Sequence, residues 1–404
     1  MRAYERLIRY AGIHTSSKEG MGETPSTARQ RNLSKVLAEE MKQLGLEDVF
    51  VDEHTYVYGV LPATDGKDKL PCVALISHLD TIPDEDFNGE NVRPQLVPDY
   101  DGGEVLLGNS GRVLSPQMFP DLVKMRGHTL ITTDGTTVLG ADDKAGISEI
   151  MTACEILQRE KLPHGKLSVC FTPDEEIGHG ASLLSLERLG ADYAYTVDGG
   201  DPSEINFETF NAAAAELVFH GVNVHPGEAK NKMRNAILMA MEFHSLLPGA
   251  ERPETTENRE GFYHLTAMKG DVERTELSYI VRDHNASRFE SRKEIMKQAI
   301  KYLNEKYGEG SAQLQIRDQY RNMEEVLRDR PQIIERAERA LRKAGIEPNY
   351  VPVRGGTDGA QLSFRGLPCP NLGTGGAGFH GPYEHISVEN MDKVTEILVN
   401  LLTD

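Results

Sequence analysis

Short apolar runs of strand character alternate along this chain with stretches of helical periodicity, and polar side chains able to ligate a cation stand just after several of those runs. Such alternation calls for a largely parallel sheet with helices on both faces. Cys72–Ser77, Leu167–Phe171 and Tyr193–Val197 read as strands, as does Val57–Leu61. A helix is predicted over about Lys144–Glu160, where Ile147, Ile150, Met151, Cys154 and Leu157 fall on one face. Further helices are predicted over Ser26–Leu46, Ala181–Leu189, Pro331–Ala344 and Asn390–Leu402, with a short amphipathic one around Leu7, Ile8 and Ala11. Asp134-Gly135 is a hairpin signal between candidate strands Thr129–Thr133 and Thr136–Leu139. Between about Pro83 and Thr129 little regular pattern is found, and connections of that length are usually functional.

With 404 residues the chain is expected to form two domains. Its character shifts near Asn206. Strands are predicted at Ala212–Val224, Phe262–Met268, Glu276–Val281 and Ala312–Arg317, with helices at Asn235–Leu247 and Ser291–Tyr307. The order βαββαβ is the ferredoxin-like signature. The expected division is therefore a first domain in two parts, 1–207 and 319–404, with an α+β domain inserted at 208–318.

A formal net charge of −19 repels phosphate backbones and anionic lipid, which argues against nucleic-acid and membrane partners and mildly favours cationic ligands. Cys72, Cys154, Cys170 and Cys369 are scattered without a CxxC pair, as expected of buried thiols in a reducing compartment. Met1–Ser17 has no signal-peptide apolar core, and no apolar run reaches membrane-spanning length, so the cytoplasm is the expected location.

Five clusters carry the chemistry: His78-Leu-Asp80, Asp142-Asp143-Lys144, Glu175-Glu176, Asp198-Gly199-Gly200 and His380-Gly381. They supply oxygen and imidazole ligands and no thiolate, a mixture suited to zinc, manganese or cobalt in a hydrolytic centre. In open parallel sheets ligands gather at the carboxyl ends of strands, so remote clusters can converge. His78 and Asp80 point the same way in extended chain, and Asp80 could then take the imidazole's second N–H. The chain has thirteen histidines, so this pair alone leaves a structural role equally open. Asp142 and Asp143 enter a helix, where acids commonly cap, although Asp142 could bridge two cations. Glu175 and Glu176 diverge, so that one could bind metal while the other faces substrate. Asp198 precedes two glycines that fit a turn as well as a crowded site. His380 follows a glycine-rich stretch that lacks phosphate-loop spacing, and His385 is its rival as a ligand.

Taken together, these residues resemble the co-catalytic di-zinc exopeptidases related to aminoacylase and glutamate carboxypeptidase. The likeness rests on Ser77–Thr81, Leu114–Pro120, Thr133–Gly146, Phe171–Gly178, Thr196–Gly200, Asn223–Gly227 and Arg354–Gly359, and it runs nearly end to end. Within the family it is to the tripeptide aminopeptidases, with dipeptidases and N-acyl amino acid amidohydrolases as the alternative. The resemblance implies a zinc-exopeptidase-like α/β catalytic domain, mostly parallel, carrying the inserted domain as a dimerisation lid. It implies two zinc ions per subunit, replaceable by cobalt or manganese, a small peptide substrate and a homodimer. His78 and Asp198 would hold one ion and Glu176 and His380 the other, with Asp142 between them. Asp80 would orient His78, Glu175 would be the general base, and the Asp142–Asp143 peptide would be cis. His225 of the partner subunit would stabilise the carbonyl oxygen, although its position before Pro226-Gly227 by itself suggests a structural histidine. Arg282 and Arg354 would hold the substrate carboxylate, with surface or interface salt bridges as the plainer reading.

Overall fold

The computed structural model describes residues Met1–Asp404, which divide into two compact units. The first comprises Met1–Phe207, Glu325–Val351 and Thr357–Asp404, and the second Glu208–Glu324 and Pro352–Gly356.

An eight-stranded mixed sheet organises the first unit. In spatial order its strands are Glu47–Val51, Val57–Leu61, Leu167–Thr172, Val73–His78, Tyr193–Val197, Asn371–Leu372, Glu204–Asn206 and Asn349–Tyr350. The strands Leu167–Thr172, Val73–His78 and Tyr193–Val197 lie side by side and parallel. His78 faces Thr172 and Ile76 faces Thr196, so their carboxyl ends are level. Alternation along each strand sends Val73, Leu75, Val169, Phe171 and Tyr195 into one core and Ala74, Ile76, Cys170 and Ala194 into another. The first core is covered by helices Gln30–Gln43, Ala141–Glu160, Pro331–Lys343 and Val388–Thr403. The second packs Leu184, Leu189 and Leu362, from the short helices Leu186–Leu189 and Asp358–Phe364 and the loop before the first of them. Strands buried on both faces read as unbroken apolar runs, which is why they are legible.

Several boundaries differ from the sequence expectation. The helix expected from Ser26 starts at Gln30, because Ser26 is drawn off to Asp174. The helix expected over Ala181–Leu189 is one turn, Leu186–Leu189, which Ser185 caps and Gly190 ends at φ 57°. No hairpin forms at Asp134-Gly135. Only Leu130–Thr132 is a strand there, and it pairs with Gln95–Val97 and His385–Ser387 instead of Thr136–Leu139. The turn itself exists, with Asp134 Oδ1 accepting the Thr136 N–H at 3.0 Å. Beyond it, Thr137 Oγ1 instead accepts the Gly89 N–H, which draws the following residues to the 87–89 loop. The long excursion after Asp80 contains short strands at Gln95–Val97, Val105–Leu107 and Arg112–Leu114 and a 3-10 turn at Pro120–Met125, around a core of their own.

The second unit has the order βαββαβ: Asn211–His220, Ala236–Leu246, Phe262–Gly270, Arg274–Asp283, Ala286–Tyr307 and Ala312–Tyr320. Its four strands form one antiparallel sheet with Phe262–Gly270 and Ala312–Tyr320 at the edges. Its limits reach past the expected 208–318. Asn322 Oδ1 accepts the Thr209 N–H at 3.0 Å, and Asn211 Oδ1 accepts the Asn322 N–H at 3.1 Å, which closes the neck of the insertion. The returning segment Pro352–Gly356 is held by Val353 N–H donating to the Glu208 carbonyl at 2.9 Å and by Arg354 over the rings of Phe210 and Phe262.

Candidate metal centre

The level carboxyl ends of three neighbouring strands bring ligand side chains together. His78 ends one strand, Glu175 and Glu176 form a 3-10 turn just past the second, and Asp198 follows the third. Asp142 joins them from the first turn of Ala141–Glu160, where Asp142 and Asp143 have non-helical dihedrals and a cis peptide between them. His380, at φ 60°, comes from the loop between Gly376–Ala377 and His385–Ser387.

Asp142 is shared between two groups. Its Oδ1 lies 2.9 Å from His78 Nε2, and its Oδ2 lies 3.2 Å from His380 Nε2. His78 Nε2 is also 3.7 Å from Asp198 Oδ1, and His380 Nε2 is 3.1 Å from Glu176 Oε2. Ligand-capable atoms of His78, Glu175 and Asp198 also lie close together, as do those of His78, Asp142 and Glu176.

These contacts fit a cation. His78 Nδ1 is 3.0 Å from the Asp80 carbonyl oxygen, a partner that only an N–H can satisfy. Nε2 of the same ring faces Asp142 Oδ1. Burial disfavours a charged ring, but Asp198, Asp142 and Asp80 outweigh it and raise His78 well above the ordinary imidazole range. The space between Nε2 and the carboxylates therefore favours positive charge, whether a proton or a divalent cation. Glu176 Oε1 is buried without a hydrogen-bond partner, which leaves a further lone pair for a ligand. The electrostatics agree. Burial, with repulsion from Asp142, pushes Glu176 up to about 7. Burial also lifts Glu175 well above the ordinary carboxyl range, aided by Asp358 and Glu176 and opposed by His78. Burial raises Asp198 in the same way, with Asp143 adding to it. Hydrogen bonds to Asp142 and Glu176 hold His380 up at about 10. A cluster this short of positive charge is what oxygen and nitrogen ligands of divalent ions look like before the ion is counted.

Asp80 does more than face His78. Its Oδ1 lies 3.4 Å from His78 Nδ1 and accepts the Glu175 N–H at 3.0 Å, while Oδ2 accepts the Glu176 N–H at 3.2 Å. One fully buried carboxylate thus aims an imidazole and the turn bearing both glutamates. His385 lies elsewhere: it is buried, with Nε2 2.9 Å from Asp121 Oδ2, Nδ1 2.8 Å from the Tyr383 carbonyl and its edge on Phe119.

Four groups support the ligands, of which sequence reasoning singles out only Asp143, as a capping acid. Asp143 accepts from Ser77 Oγ and, at 3.1 Å, from the His78 N–H. Asp174 precedes the glutamates at φ 59° and accepts from Ser26 N and Oγ and from Gln30 Nε2, at 2.6–2.7 Å. Asp358 accepts from Thr172 Oγ1 at 2.8 Å, with its other oxygen unpartnered. Glu384 accepts the N–H groups of Gly140 and Asp142, both at 2.8 Å. Of the other three, only Asp174 carried a sequence signal, the acid run at 174–176.

All three residues that the resemblance linked to substrate belong to the second unit. His225 is exposed and starts the 3-10 turn Pro226–Glu228, its Nδ1 accepting the Gly227 N–H at 3.2 Å. Arg282 Nη1 donates to the carbonyls of Ala213 and Val281 at 3.2 and 3.1 Å, and its guanidinium lies over Tyr320. Arg354 donates to the carbonyls of Asn258 and Glu260 and to Thr256 Oγ1, at 2.9–3.0 Å. Within this chain the partners that hold both arginines are carbonyl and hydroxyl oxygens, not carboxylates.

Residues 137–404 match the model of peptidase family M20/M25/M40. A protein of Alkaliphilus oremlandii named Peptidase T is 49% identical over 401 residues, 98% of each chain. One of Geobacillus kaustophilus with the same name is 50% identical over 98% of this chain and 97% of its own. Among solved structures, the aminopeptidase PepT of Bacillus cereus superposes with a TM-score of 0.79 at 25% identity, covering 100% of this chain and 97% of the other. A Bacillus subtilis protein described as a dinuclear metal binding peptidase from the M20 family shares the fold, with a TM-score of 0.66 at 16% identity over 99% of this chain and 97% of its own. The chain belongs to peptidase family M20/M25/M40, and within that family of metallopeptidases to the peptidase T group.

Proposed function

We propose that the enzyme is a homodimeric di-zinc aminopeptidase that removes the amino-terminal residue from tripeptides in the cytoplasm. The observation that carries the metal chemistry is Asp142, whose two oxygens each face an imidazole nitrogen. The names of the relatives support the substrate class. Zinc fits the nitrogen and oxygen donor set, and cobalt or manganese can replace it.

His78 and Asp198 would hold one ion and Glu176 and His380 the other, with Asp142 available to both. A pair of divalent cations supplies Lewis acidity to the scissile carbonyl and lowers the pKa of water. Glu175, kept off the metals in this reading, takes the proton of the attacking water and passes it to the leaving amine. Asp80 fixes the base and the ligand turn relative to His78. His225 of the partner subunit donates to the carbonyl oxygen as charge develops there. Arg282 commits one nitrogen to carbonyl oxygens, whereas Arg354 uses both Nη atoms to hold the 256–260 loop, so Arg282 is the better fork for the substrate carboxylate.

The dimer is read from the second unit. Leu238 and Met241 are exposed on the outer face of Ala236–Leu246, and Phe262–Gly270 is an edge strand with exposed Met268. The cytoplasm suits four buried cysteines without a disulfide. No helix is long and apolar enough to cross a membrane.

The test compares a free tripeptide, its N-acylated form and a dipeptide, before and after chelation. Cleavage of the free tripeptide at its first peptide bond, lost on chelation and restored by zinc, is the expected outcome. Equal turnover of the acylated peptide or the dipeptide would move the assignment to the amidohydrolase or dipeptidase alternative.

A further inference from the structure

We infer that Glu384 is a positioning residue for the metal centre: its carboxylate clamps the backbone on which Asp142 is mounted, and so sets affinity at both metal positions. The inference rests on the reading of Asp142 as the shared ligand.

The helix Ala141–Glu160 begins irregularly. Gly140 is left-handed at φ 76°, and Asp142 (φ −85°, ψ 102°) and Asp143 (φ −121°, ψ 33°) are not helical. The N–H groups at such a start have no carbonyl four residues back to accept them, and buried N–H groups need an acceptor. No side chain of the cap residue can help, because it is Gly140. Glu384 supplies what is missing from more than two hundred residues away. Its Oε2 accepts the Gly140 N–H and its Oε1 accepts the Asp142 N–H, each at 2.8 Å. Two oxygens meet two donors, so the site calls for a carboxylate; an amide offers one acceptor and turns a donor toward the other N–H. Glu384 is 1% exposed, which confines its role to the interior. The buried Lys144 ammonium, which donates to the Ile13 carbonyl at 2.8 Å, feels the attraction of Glu384 and Asp80 without pairing with Glu384 directly.

The placement of Glu384 in the chain gives the clamp its consequence. It lies four residues after His380, on a loop turned by the Glu384 N–H to Gly381 carbonyl bond at 3.2 Å. The loop that presents His380 therefore also grips the loop that presents Asp142, and the His380–Asp142 separation of 3.2 Å is fixed from both sides. Groups that orient metal ligands typically change affinity by about 10–100-fold when they are removed.

The test is a Co2+ titration of chelated full-length protein, followed by the visible absorption of the bound ion, for wild type, Glu384→Gln, Glu384→Asp and Asp142→Ala. Asp283→Asn serves as a control for lost stability. Asp283 is an equally buried carboxylate of the second unit that accepts the Asn285 N–H at 2.9 Å and pairs with Arg292 at 2.8 Å. The clamp predicts about tenfold or more weaker binding and an altered absorption band for Glu384→Gln, with unchanged far-UV circular dichroism. It predicts partial recovery for Glu384→Asp and a wild-type titration for Asp283→Asn. A wild-type titration and spectrum for Glu384→Gln overturns the clamp. If Asp142→Ala still loses cobalt in that case, only the clamp has failed; if Asp142→Ala also binds normally, the shared-ligand reading has failed with it. An equal loss of affinity in Asp283→Asn also overturns the inference, by reducing it to general stability.

Discussion

At Asp142 a single carboxylate touches both imidazoles, and at Asp80 another touches both the imidazole of His78 and the turn carrying Glu175 and Glu176. These two residues do different work, and substitution separates them from the base. Glu175→Ala is expected to keep both metals by elemental analysis while turnover falls by about 10²–10⁴-fold, the range for a lost general base. A metal-replete Glu175→Ala enzyme that retains full turnover would remove Glu175 from the mechanism. Asp80→Ala is expected to lower both metal affinity and turnover, because it removes the carboxylate beside His78 Nδ1 and leaves the N–H groups of Glu175 and Glu176 without their acceptor, although Nδ1 keeps the Asp80 carbonyl. The convergence of His78, Asp142, Glu176, Asp198 and His380, the candidate ligands, was legible in the sequence, since each stands in a motif. Glu384 and Asp358 were not. Their partners lie 244 and 186 residues away, and nothing in local spacing announces such a contact.

Among elements, the buried strands and amphipathic helices follow the sequence patterns closely, because burial on two faces or one leaves a periodic trace. The stretch around Asp134-Gly135 does not. A local turn signal was outweighed by distant partners, since Leu130–Thr132 gains two neighbouring strands from remote segments. The amino-terminal helix Ala3–Ala11 shows the same dependence on remote groups. Arg6, 2% exposed, pairs with Glu40 at 2.8 Å and Glu155 at 2.6 Å and donates to Thr152 Oγ1 at 2.9 Å, joining three helices. Glu40 keeps Arg9 and Tyr10 as partners and Glu155 keeps the amino terminus, so Arg6→Ala is expected to cost about 1.5–3 kcal/mol in denaturant unfolding, the range for lost hydrogen bonds to charged groups. A loss under about 1 kcal/mol, the range of exposed pairs, would show that this junction is solvated in solution.

For the whole molecule, every candidate metal ligand falls in the first unit and every candidate substrate contact in the second. Metal should therefore stabilise the two units unequally, because an ion bound only by folded ligands adds stability where it binds. Hydrogen exchange after chelation is expected to rise around 139–146, 174–180, 198–201 and 376–386. It should change little in the sheet formed by Asn211–His220 and Arg274–Asp283. Uniform acceleration across both units would instead mean that they unfold as one. The proposed dimer belongs to this scale too. Leu238→Glu with Met241→Glu, on the exposed face of Ala236–Leu246, is expected to yield monomers by sedimentation, and an unchanged dimer mass would place the interface elsewhere. The βαββαβ order of the second unit was readable in the sequence, whereas its neck at Asn322 and its returning strap at Pro352–Gly356 were not, since both are made by contacts between distant segments.

In the proposed enzyme, side chains from five separate stretches of the first unit enclose two cations that share Asp142. Elemental analysis of dialysed protein, wild type beside Asp142→Ala, decides whether they do. Two zinc equivalents per chain in the wild type, and loss from both positions in the variant, are predicted. A wild-type enzyme that holds fewer than two and still cleaves tripeptides in excess chelator, or a variant that keeps both, would contradict it.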